Sequence, residues 1–146
     1  MTTATTPRPP STAERVAMGR PWWIGLLVIV LSIAGNAIVR TIAMALFAIP
    51  PEFEPLAWPR FTFFTVIGAV GATIVFAIVA RFSRRPMRLF RIIALIVLLI
   101  SFLPDVGLLT GRPFPGITVP GVVSLMVMHV VSAAIAVGLL TGLSQK

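Results

Sequence analysis

PWWIGLLVIVLSIAGNAIVRTIAMALFAI, residues 21–49, carries a single charged side chain, Arg40, before it closes on Pro50-Pro51. A helix over this stretch, rising about 1.5 Å per residue, is longer than the roughly 30 Å hydrocarbon core of a bilayer. The stretch therefore reads as a membrane span, tilted to fit. Three more runs follow. Residues 61–80 lie between Arg60 and Arg81. Residues 92–109 are continuous to Leu103 and interrupted by Pro104-Asp105, and residues 119–143 carry Pro120 in the first turn. A proline is tolerated there because its missing N–H would have no partner in any case. Pro104 lies deeper, so the end of the third run is expected to be a kinked extension or a separate half-helix. The fold class is all-α: a four-helix transmembrane bundle with short loops, each backbone satisfied inside its own helix.

Composition agrees with this reading. Of the 146 residues, 58% are hydrophobic and 11% charged, far from the balance of a water-soluble domain. Twelve Lys and Arg face four Asp and Glu, a net charge of +8. The cations flank apolar runs and form no basic groove with interleaved aromatics, which argues against nucleic acid as a partner. There is no cysteine, which excludes thiol catalysis, disulfides, iron–sulfur clusters and cysteine zinc sites. No metal site or cofactor is implied.

Residues 1–20 are rich in Thr, Pro, Ala and Arg and are expected to form a disordered cytoplasmic tail. Ser11 and Glu14 have the spacing of a capping box, which would start a short interfacial helix. The tail lacks an apolar core of secretory-signal length, so the first span is expected to be retained. Residues 21–146 then form one membrane domain.

Orientation follows from the cations. Arg8, Arg15, Arg20, Arg81, Arg84, Arg85, Arg88, Arg91 and Lys146 fall on one side, and only Arg60 and Arg112 lie in the loops of the other, beside Glu52 and Glu54. Nine against two places both termini and the loop RFSRRPMRLFR in the cytoplasm. Arg81, Arg84, Arg85, Arg88 and Arg91 are then positioned to meet anionic lipid head groups. Trp22, Trp23 and Trp58 fall at interfacial depth, where amphipathic rings settle. No internal repeat is visible.

Four polar residues lie within the spans: Asn36, Arg40, Asp105 and His129. An ionisable side chain in hydrocarbon costs about 2.5 to 3.5 kcal/mol on insertion scales and usually turns toward a partner or a water-filled cavity. Counted from the basic side, Asn36 and Asp105 lie about 21 Å deep and Arg40 about 27 Å, while His129 lies about 15 Å from the opposite side. Asn36 and Arg40 share a helix face. An inward Arg40–Asp105 ion pair with Asn36 and His129 beside it is the sharpest expectation. The plainer alternatives are that Arg40 snorkels to head groups, Asp105 caps a restarted helix and His129 packs. Small residues at Gly68 and Ala72, and at Ser132 and Ala136, have the i, i+4 spacing of close helix packing or of a homodimer face. Met126 and Met128 read as apolar fill. The loop PPEFEPLAWPR, with Glu52 and Glu54, reads as a stiff connector tucked against the interface in preference to a lid.

The segments PPEFEPL (50–56), RRPMRLFRIIA (84–94), SFLPD (101–105) and LMVMHVVSAA (125–134) resemble a domain-of-unknown-function family of small four-span bacterial membrane proteins. That resemblance implies the architecture and a bacterial cytoplasmic (inner) membrane location, and no activity. The chain is also similar in size to the small multidrug exporters, but the first span has no carboxylate where those proteins need a glutamate, and Arg40 has the opposite charge. Function reads first as binding of a small ligand, a lipid or a partner protein, a second copy included. A small-solute or proton transporter using Asp105 and His129 is the alternative. A membrane enzyme ranks third, since the spans hold no nucleophile–base pair.

The charge count has a direct test. In an otherwise cysteine-free chain, Ser83→Cys should resist an impermeant thiol reagent added outside intact cells, and labelling would reverse the assigned orientation.

Overall fold

The computed structural model describes residues 21–111 and 115–145. The tail, the capping-box helix expected near Ser11, and Arg112 lie outside the described residues. Four helices, α1 (Pro21–Leu46), α2 (Trp58–Phe82), α3 (Pro86–Gly111) and α4 (Val119–Gly142), are joined by short connections, with 3-10 turns at Glu54–Leu56 and Leu143–Gln145. All four are long and apolar enough to cross a membrane. No strand occurs among the described residues.

The helix boundaries differ from the apolar runs for local reasons. α1 stops at Leu46, three residues short of the run, because Pro50 and Pro51 disfavour helical backbone before them and the chain turns through an Ile49 N–H to Phe47 carbonyl bond. α2 begins at Trp58, with Pro59 in its first turn, and passes through both arginines that bound the run. α3 begins six residues before its run, at Pro86, after Ser83 Oγ accepts a bond from the Arg85 N–H. Those charged residues extend the helices because a long Arg side chain can reach head groups from a helical backbone. At α4, Thr118 Oγ1 caps the start by accepting from Gly121 N–H at 3.2 Å.

Of the two expectations at Pro104, the separate half-helix is absent. α3 runs continuously past Pro104 to Gly111, and Asp105 is a mid-helix residue rather than the cap of a new helix. In a bilayer the cost of exposing several backbone groups at a break exceeds that of the one hydrogen bond proline removes.

The bundle has two apolar cores, one at each end. Ile24, Val28, Ala69, Phe76, Val79, Met87, Phe90, Ala136 and Leu140 form the core at the arginine-rich end, with Phe76 and Phe90 edge to face at 5.1 Å. At the opposite end Ala43, Val122, Leu125 and Met128 pack with Ile49, Phe53 and Leu56 of the connector. The connector is thus part of the core, as the tucked reading anticipates. Gly116, at φ 75°, supplies the left-handed backbone that turns the chain into α4. α1 packs on α2 and α4, and α3 also packs on α2 and α4. α3 is the least covered helix, with 6% of its apolar stretch buried in the protein against 22% or more for the others.

The expected packing role of Gly68 is not seen: it is exposed, a Cβ at this position would meet no neighbour within 4 Å, and Ala69 takes the buried site. A close approach of α1 to α4 is at Gly35, where a Cβ would stand 2.8 Å from Val131 Cγ1. Gly35→Leu should therefore lower stability in detergent by about 1 to 3 kcal/mol through overpacking, while Gly68→Leu should leave the melting temperature nearly unchanged. Equal effects would contradict this α1–α4 contact.

Candidate functional site

Between the two apolar cores lies a polar layer. Asn36 on α1 is 3% exposed, and its amide donates to Thr65 Oγ1 on α2 at 2.9 Å and to Ser132 Oγ on α4 at 3.0 Å. Thr65 Oγ1 in turn donates to the Phe61 carbonyl at 2.7 Å, so it meets Asn36 as an acceptor. One side chain thereby ties three helices. Asn36 Oδ1 and Ser32 Oγ, one turn apart on α1, are buried without a hydrogen-bond partner.

Arg40 lies one turn beyond Asn36 but faces a different partner. Its Nε donates to the Leu56 carbonyl at 2.7 Å, and its guanidinium lies 5.0 Å from the centre of the Trp58 ring. It anchors the connector through a charge-assisted hydrogen bond and a cation–π contact. The expected Arg40–Asp105 ion pair is not formed. The long Arg side chain reaches the polar backbone at the bundle end, which satisfies it closer to the head groups.

Asp105 instead faces His129. Its Oδ2 stands 3.9 Å from His129 Nε2, with side-chain exposures of 8% and 37%. That separation is within ion-pair range but too long for a hydrogen bond, and Oδ2 has no hydrogen-bond partner. The contact links α3 to α4. The four polar residues predicted to share a cavity therefore divide among three places, and among the described residues no hydrogen bond or ion pair joins the three. Of the outer-loop carboxylates, Glu54 pairs with Arg60 at 2.8 Å on the surface, and Glu52 is exposed. No cluster of three His, Cys, Asp or Glu fit to hold a metal occurs among the described residues.

A second polar tie joins α3 and α4 near the arginine-rich end, where Arg91 Nη2 donates to Thr141 Oγ1 at 3.4 Å. Between this tie and Asp105–His129 the two helices leave an open groove of about 410 Å³. Ala94, Leu95 and Leu98 line one wall, Val130, Ala133, Ala134, Val137 and Gly138 the other, and Arg91 stands at the mouth. On α3 the ties are 14 residues apart, Arg91 to Asp105, or about 21 Å. The small side chains of α4 create the space, since Ala and Gly leave the backbone close to the surface.

Sequence reasoning misses Thr65 and Thr141 and assigns Ser132 to packing. Hydroxyls carry little hydropathy signal, and the one trace of the layer in sequence is the Ser32, Asn36 spacing on a single face.

A family of unknown function, DUF6069, matches residues 12–146. The chain belongs to that family. No curated protein and no solved structure matches it. Membership and the four apolar helices agree with the resemblance drawn from the sequence segments, and they give the chain a multi-pass membrane architecture without an activity.

The polar layer makes a specific energetic claim. Asn36→Ala should cost about 1 to 2 kcal/mol and should couple with Thr65→Val by roughly 0.6 kcal/mol or more in a double-mutant cycle read by thermal stability. Arg40→Leu and Asp105→Leu, which touch different groups, should add to within about 0.5 kcal/mol. Additive behaviour at Asn36 and Thr65 would dissolve the clamp.

Proposed function

We propose that this member of DUF6069 is a membrane protein that binds a lipidic ligand, taken laterally from the bilayer into the α3–α4 groove. The observation that carries the reading is the groove itself: apolar along both walls, open to the side, with the Arg91 guanidinium in its lining. Ligand sites of helical bundles lie between helices and are mostly apolar with few polar groups. A groove opening toward hydrocarbon admits a molecule already dissolved there.

The same reading puts the arginine-rich end in the cytoplasm of a bacterial cell, with Arg81, Arg84, Arg85, Arg88 and Arg91 against anionic head groups of the inner membrane. A second copy of the chain, or another membrane protein, is the competing occupant of the exposed α3 face.

A second reading, transport of protons or a small solute, is favoured by the Asp105–His129 contact inside the spans. Intramembrane carboxylate and imidazole groups are the usual parts of proton relays. Against it, the polar groups form three separate places rather than a path.

Two measurements divide the readings. Purified chain should carry lipid that Ala134→Trp, which fills the groove, no longer retains. Reconstituted in liposomes, wild type and His129→Ala should show the same proton uptake. Uptake that disappears in His129→Ala would establish the transporter, and a stoichiometric protein on the α3 face would replace the lipid.

A further inference from the structure

Five arginines, Arg81, Arg84, Arg85, Arg88 and Arg91, gather at the end where α2 turns into α3. Among the described residues the carboxylates are Glu52, Glu54 and Asp105, and all three belong to the opposite half of the bundle. None of the five arginines is in an ion pair among the described residues. Within the described residues their charge is therefore left uncompensated.

Arg91 differs from the other four because it alone lines the groove. It is held by a long bond, 3.4 Å, to Thr141 Oγ1, whose own hydrogen is committed to the Val137 carbonyl at 2.7 Å. A guanidinium has five N–H donors in a planar fork that fits two oxygens of a phosphate at once. One weak bond to a hydroxyl leaves most of that fork open. Thr141 fixes the stem toward α4, at the level where an apolar trough begins, and Arg88 stands one turn earlier on α3.

We propose that the groove is a site for an anionic diacyl phospholipid of the leaflet at the arginine-rich end. The phosphodiester is held by Arg91, and one acyl chain lies in the trough between Ala94, Leu98, Ala133 and Ala134. This rests on the lateral lipid-binding reading above and adds head-group selectivity to it. The occupant is a phospholipid rather than a free phosphate because the cationic group and the apolar trough are continuous. It is anionic because a zwitterionic head brings its own cation up against the open Arg91 guanidinium.

The test uses full-length protein in neutral detergent with phosphatidylglycerol or phosphatidylcholine of identical chains, counting retained lipid by native mass spectrometry. Wild type should prefer phosphatidylglycerol by about fivefold, the factor one arginine contributes toward an anionic surface. Arg91→Gln should bring the ratio to about one while keeping a lipid bound. Arg85→Gln, outside the groove, should lower the preference by less than Arg91→Gln does. Ala134→Trp should remove both lipids, and Ala133→Leu closes the same stretch should the tryptophan variant not fold. Equal retention of the two lipids by wild type, both lost in Ala134→Trp, would overturn the head-group assignment and keep lateral binding. Equal losses of preference in Arg85→Gln and Arg91→Gln would overturn it in favour of diffuse charge. Retention unaffected by either groove-filling variant would remove the groove reading altogether.

Discussion

The bond set of Asn36 is the interaction on which the arrangement of α1, α2 and α4 depends. In hydrocarbon, apolar side chains gain little from meeting one another, since lipid tails are as apolar as they are. The two apolar cores therefore pack well without specifying how far one helix slides along the next. An amide that must find partners does specify it. Asn36 meets Thr65 and Ser132 only at one register, and Gly35, beside it, lets α4 come near enough for the second bond. From that layer the rest follows in both directions. Val28 and Ala136 fall into the core at the arginine-rich end, and Ala43 and Met128 into the core at the other.

α3 stands outside that clamp. It contributes Met87 and Phe90 to one core, packs Leu108 and Leu109 against the other, and is tied to α4 by Arg91–Thr141 and Asp105–His129. Two polar contacts, with alanines and a glycine of α4 between them, flank a looser stretch of the seam. The groove is a product of this division. Where α1 and α4 are bound through a buried amide they fit tightly, and where small residues of α4 face α3 between the two polar contacts a space remains.

Much of the fold is legible in sequence because bilayer thickness turns hydropathy into length. The runs 21–49, 61–80, 92–109 and 119–143 correspond to the four helices. The misjudged boundaries all involve Arg or Pro, residues that read as breaks although Arg can snorkel and Pro can open a helix. The half-helix expected after Pro104 fails in the same way, since a bilayer penalises a broken helix more than water does. The polar contacts are harder to read. Depth along a helix can be counted, but rotation about its axis cannot, so opposite charge suggests Arg40 with Asp105 when Arg40 turns to Leu56 and Asp105 to His129. Thr65 and Thr141 give no signal, because a threonine in a span is compatible with every environment.

The clamp also has an order of assembly. Thr65 follows Asn36 by 29 residues, and Ser132 follows it by 96. A chain made from its N-terminus can close the first bond once α2 has emerged, yet the second N–H of the amide waits until α4 has emerged. During that interval α1 and α2 form a hairpin with one polar hydrogen unanswered in hydrocarbon, a species that would hold to any passing hydroxyl or carbonyl. The last of the four helices to arrive is the one that ends this promiscuity, so the maturity of the bundle is decided at Ser132.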